Sequence, residues 1–170
     1  MATDLRVSPD VLREADDGQL AWRVIAPAYD AVNIYDGPAA LDADLAPLTP
    51  GQRALLALHW TVGEVCNGGF DQYFVNATGD LALEALAGLR RVGAAETAAL
   101  LERVLGAFPG GPPPRDREAR AEAMGALDDD ARAALFEEFD ERFYALMDAE
   151  LYPRAAAYVR AHPEEFVLPR

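Results

Sequence analysis

From residue 8 to residue 162 the apolar side chains of this 170-residue chain recur at helical spacing. No segment alternates apolar and polar residues as a half-buried strand would. That periodicity points to one fold class, all-α, a single irregular multi-helix bundle. The punctuation between helices is explicit. Ser8-Pro9-Asp10 opens a short helix. Residues 19–35 read as a second stretch, which Pro27 should kink or split because it removes a backbone donor. Asp36-Gly37-Pro38 ends it, and a short segment, 39–46, follows. Thr49-Pro50-Gly51-Gln52 is a strong helix start: Thr49 can cap, Pro50 suits the first turn, and Gln52 completes a capping box. Leu55, Leu56, Leu58, Trp60, Val62 and Val65 lie behind it. Asn67-Gly68-Gly69 stops this helix, since glycine and asparagine tolerate left-handed backbone. Residues 70–76 then read as a short helix, with Asp80 as the cap of a helix reaching Arg91 and 94–108 as another. The proline-rich run 109–114 is a connector, and helices over 115–127, 128–146 and 152–162 complete the chain.

At 51% hydrophobic residues the chain can build a core without metal or disulfide staples. A single cysteine, Cys66, excludes an internal disulfide. Residues 1–10 lack the apolar stretch of a secretory leader, and no apolar run approaches the roughly 18 residues of a membrane span. The expected location is the cytoplasm.

The net charge is −14, and every Lys/Arg-type cation is arginine. Such a chain repels nucleic acid and anionic membrane surfaces, so neither is expected as a direct partner; a basic protein is. Half of the net charge sits in residues 128–150, which hold nine acids against two arginines. On a helix at about 100° per residue, Asp130, Glu137, Glu141 and Asp148 fall within roughly 20° of one line, spanning roughly 27 Å. Leu135, Phe136, Phe139, Phe143, Leu146 and Met147 fall opposite. Glu138 and Arg142 can pair at the edge. This row is either a solvated face or a docking strip for arginine and lysine side chains that imitates a phosphate backbone.

Residues 64–79 concentrate special residue types. Phe70, Tyr73 and Phe74 share a face to be buried, while Gln72 and Asn76, four apart, share another. Their amides, with Glu64 and Asn67, can form a polar network pinning two helices; the same residues with Tyr73 can instead line a small pocket. The Glu64–Gly79 stretch, with its Asn67-Gly68-Gly69-Phe70 core, Gln72-Tyr73-Phe74 and Asn76, resembles a bacterial all-helical family of domains of unknown function that includes an acidic, dimeric DNA mimic. Residues 139–144, Tyr158-Val159 and 162–166 support the resemblance, which covers about residues 50–166 and leaves 8–46 as helices packed onto that core. It implies an all-helical fold and admits a homodimer and an acidic surface that binds a DNA-binding protein. The acidic residues carry no fixed motif, so none transfers by position.

Little points to an enzyme. His59 and His162 are the only side chains that titrate near neutrality when unperturbed. His59 lies in an apolar run and reads as a hydrogen-bonded, semi-buried histidine, and Cys66 near a helix C-terminus is not activated. No zinc set, di-iron Glu-x-x-His pair or phosphate loop is present. No catalytic, metal or cofactor residue is assigned, although the abundant carboxylates leave acid–base chemistry open. The leading expectation is an acidic protein-interaction module, a DNA mimic. The alternatives are a neutralising partner of a toxin or enzyme, and a small-molecule or enzymatic site at the Glu64–Asn76 corner.

Overall fold

The computed structural model describes residues 4–169; the first residues of the segment read for a leader lie outside them. The chain forms helices α1 (Val11–Glu14), α2 (Asp17–Ala31), α3 (Pro38–Leu45), α4 (Pro50–Val75), α5 (Ala82–Val92), α6 (Ala95–Gly106), α7 (Arg117–Gly125), α8 (Asp129–Leu146) and α9 (Tyr152–Ala161). Among the described residues there is no strand, only an isolated parallel bridge between Val7 and Val167 that ties the two chain ends together. No described helix is long and apolar enough to cross a membrane. The fold is all-α.

α4 is the central helix and packs against α2, α5, α7 and α8. The capping box at its start forms in full: Thr49 Oγ1 accepts from Gln52 N–H, and Gln52 Oε1 accepts from Thr49 N–H, each at 3.1 Å. Its second half carries the aromatic core. Phe70, Tyr73 and Phe74 are fully buried against one another, and Phe70 and Phe74 meet Phe143, Phe108 and Phe136 from α8 and from the connector after α6. Burying each such ring contributes about 1.5–3 kcal/mol, so this cluster is what holds α8 against α4.

Several boundaries depart from the sequence reading for identifiable reasons. α2 runs through Pro27 without splitting and ends at Ala31. The proline sits one turn from the C-terminus, so it removes a single late hydrogen bond, and Val32 N–H still reaches Ala28 O. Asp80 caps nothing. It lies in a 3-10 turn, Ala77–Leu81, and α5 starts after it. The end of α8 and the start of α9 agree with the sequence reading, and the residues between them, Met147–Leu151, form a π-turn. Pro153 follows at once and has no N–H to give, and Tyr152 N–H reaches back five residues to Met147 O.

Candidate functional site

The Asn-Gly-Gly segment interrupts the helix as expected: α4 is two helical halves joined across a kink at Gly68-Gly69. Gly68 (φ −162°, ψ 28°) and Gly69 (φ 72°, ψ −174°) leave helical geometry, and the chain resumes as helix to Val75. Gly69 occupies a region essentially closed to other residues. The polar groups around the break are satisfied from α8. Asp140 Oδ1 accepts from Phe70 N–H at 2.8 Å, and Tyr144 Oη donates to Val65 O at 2.8 Å. Asp140 thus does for the second half of α4 what an N-cap does from within a chain. Burial pushes the Asp140 carboxyl above its ordinary value, opposed by the Phe70 N–H and reinforced by the Asp71 carboxylate.

On the outer side of the kink, Glu64 Oε2 accepts from Gln72 Nε2 at 2.7 Å and from Asn76 Nδ2 at 2.9 Å. The network expected of these three forms, and it bridges the two halves of α4. Asn67 is exposed and takes no part in it. Tyr73 does not face this corner's polar side: it is fully buried, with Oη 3.2 Å from Thr61 Oγ1, and burial raises its phenol well above the ordinary range.

The second half of α4 is locked by a residue the sequence reading passed over. Arg120 of α7 is fully buried. Its guanidinium donates to the carbonyls of Phe74 (2.7 Å), Asn76 (2.8 Å), Pro114 (3.1 Å) and Arg115 (2.5 Å). Its Nη2 also lies 2.8 Å from Asp80 Oδ1, an ion-pair contact off the hydrogen-bond axis. Gly79 leaves the room: a Cβ there would lie 2.7 Å from Arg120 Nε.

The acidic helix presents its charges outward. Asp130, Glu137, Glu141 and Asp148 are all exposed and form no hydrogen bond or ion pair among the described residues. The neighbouring cations are engaged elsewhere. Arg132 pairs with Asp71 (3.0 Å) and Asp129 (3.4 Å), and Arg142 pairs with Glu96 (3.0 Å). The Glu138–Arg142 pair expected along α8 does not form, because Glu138 meets Arg103 of α6 instead (3.5 Å). Asp148 lies in the π-turn, beyond the regular helix. The row in strict α-helical register is therefore Asp130, Glu137 and Glu141, roughly 17 Å long at about 1.5 Å per residue. An open groove of about 550 Å³ runs beside it, lined by Asp71, Arg132, Glu137, Asp140, Glu141 and Tyr144 among others.

The remaining candidates are His59, Cys66 and His162. His59 forms no hydrogen bond among the described residues, contrary to expectation; it stacks on Trp22 with centroids 4.4 Å apart, and burial lowers its pKa. Burial raises the Cys66 thiol, in keeping with an unactivated cysteine. His162, Glu164 and Glu165 can bring one ligand atom each within 4.8 Å of one another. Glu165 already accepts from Gly51 N–H and from Tyr158 Oη (2.6 Å), so it serves to fasten α9 to the start of α4.

The corner and the acidic helix thus form one unit, α4 kinked at Gly68-Gly69 and held by α8, within an all-helical domain. Residues 46–162 match the family described as DMP19-like protein, and the chain belongs to that family. The match takes in the corner and the acidic helix and leaves out α1 to α3. No curated protein matches the chain.

Proposed function

We propose that this protein is an acidic interaction module that occupies the basic surface of a DNA-binding protein in the manner of a DNA mimic. The observation that carries this reading is the α8 row, whose carboxylates face solvent without an arginine partner among the described residues. Unpaired like charges along one helix face repel one another, so the row is a standing cost that a basic partner would relieve. Membership of the DMP19-like family supports the same reading, through the resemblance to an acidic DNA mimic. In this account the Glu64–Gln72–Asn76 network is a brace that fixes the angle between the two halves of α4, since the two amides donate to Glu64 itself. A homodimer belongs to the proposal, and analytical ultracentrifugation reads it.

The test is the salt and charge dependence of binding. Charge-mediated association weakens steeply with ionic strength, whereas a shape-driven toxin–neutraliser interface responds weakly. Glu137→Arg with Glu141→Arg should abolish binding to a basic partner while leaving the helical circular dichroism intact. Binding that survives both the double reversal and added salt would refute the reading.

A further inference from the structure

We infer that the cavity between α2, α4 and α9 is a binding site for a small, neutral, planar aromatic molecule carrying one polar edge group. The cavity has a volume of about 230 Å³. That is below the roughly 300–1,000 Å³ of sites for drug-sized ligands. It is also too narrow for a partner helix about 10 Å across. One wall is the Trp22–His59 stack, inclined at 26°, onto which Tyr29 presents its edge at 5.2 Å and 5.5 Å. Tyr152, on α9, forms part of the lining, with Leu58 and Val62 beneath. Trp22 and Tyr152 remain 39% and 38% exposed, a large aromatic surface left in water. A planar guest would cover it in the offset or edge-on geometry that aromatic pairs prefer.

The charge pattern selects the ligand. Among the described residues no Asp, Glu, Arg or Lys lines the cavity, in a chain where 26% of residues are charged. An ion placed there would lose hydration without a counter-charge. His59 supplies the polar contact: its imidazole has no hydrogen-bond partner among the described residues, and burial lowers its pKa and favours the neutral form. A neutral imidazole offers one donor and one acceptor, suited to a phenolic hydroxyl or a ring nitrogen. No residue of α8 lines the cavity, so the site is independent of the acidic row. Trp22 lies outside the residues that match the family.

The test is calorimetric titration of the full chain with 2-naphthol and quinoline, using 2-naphthoate as the charged control. Both neutral probes should bind one per chain with Kd below roughly 1 mM, and the naphthoate roughly tenfold more weakly. His59→Phe keeps the ring stack and removes the polar contact; Ala21→Phe fills the cavity. Each should weaken binding roughly tenfold while circular dichroism shows an unchanged fold. The absence of saturable binding by either neutral probe, or affinity unchanged in both variants, would overturn the proposal. A wild-type dimer that Trp22→Ala splits, with no probe binding, would assign the patch to a second copy of the chain and also overturn it.

Discussion

Replacing Gly69 by alanine should destabilise the protein more than its small volume suggests, for two separable reasons. At φ 72° and ψ −174° a residue with a Cβ is strained by about 1–3 kcal/mol. The new methyl would also meet Asp140 Oδ2 and lie 2.9 Å from its Cγ. Asp140 must then retreat, and Phe70 N–H loses its 2.8 Å carboxylate acceptor, a charge-assisted bond worth about 1.5–3 kcal/mol. The combined effect is about 4 kcal/mol, a large part of the roughly 5–15 kcal/mol by which domains are stable. Urea unfolding followed by circular dichroism should show the midpoint falling by roughly 2 M. The second component depends on Asp140, so in an Asp140→Ala background Gly69→Ala should show only the backbone part, a coupling of about 2 kcal/mol. Gly68→Ala is the control. Its φ of −162° suits any residue, but the added Cβ meets the Gln72 amide and lies 2.9 Å from Gln72 Cβ, so about 1–2 kcal/mol is expected from the shift of Gln72 and the disturbed bond to Glu64. A Gly69→Ala effect below about 1 kcal/mol, or one equal in both backgrounds, would refute the reasoning.

Arg120→Met should lower stability by about 3–5 kcal/mol, because it leaves Asp80 and several carbonyls buried without a partner; Arg120→Met with Asp80→Leu should recover part of that in the same urea assay. Glu150→Ala should cost about 1–2 kcal/mol, read by thermal melting: Ala94 cannot cap α6, and Glu150 accepts from Glu96 N–H, Thr97 N–H and Thr97 Oγ1 in its place. Desolvation pushes the Glu150 carboxyl up, but the Thr97 and Glu96 hydrogen bonds outweigh it and hold it below its ordinary 4.5. Its contribution is therefore full above that value and lost as pH falls through the lowered one; Glu150→Gln should flatten this acid limb. Asp140 has the opposite sign: its carboxyl is held above 3.8, so stability declines as pH rises from there through the raised value, and Asp140→Asn should remove the decline.

The helices were legible because their signals are local. The Thr49–Gln52 box, the break at Gly68-Gly69 and the apolar face of α8 each lie within a few residues of one another. The features that hold the site together are not local. Nothing in the sequence couples Asp140 to Phe70, 70 residues apart, or Arg120 to Phe74, 46 apart. Asp80 looked like a cap because acids before helices usually are; its buried pairing with Arg120 exists only after α7 packs. Likewise Glu150 caps a helix that starts 55 positions earlier in the chain. The outward direction of Glu137 and Glu141 followed from helical periodicity. That Arg132 turns to Asp71 and Arg142 to Glu96 rather than to the row required the neighbouring helices.

The most direct test of the central claim is competition with DNA. Immobilised wild-type chain and its Glu137→Arg, Glu141→Arg variant are incubated with native cell lysate at low salt, then eluted with duplex DNA and afterwards with salt. The account predicts a DNA-binding protein that the wild type retains, that duplex DNA releases, and that the variant fails to capture. A partner held equally by both baits and indifferent to duplex DNA would contradict it.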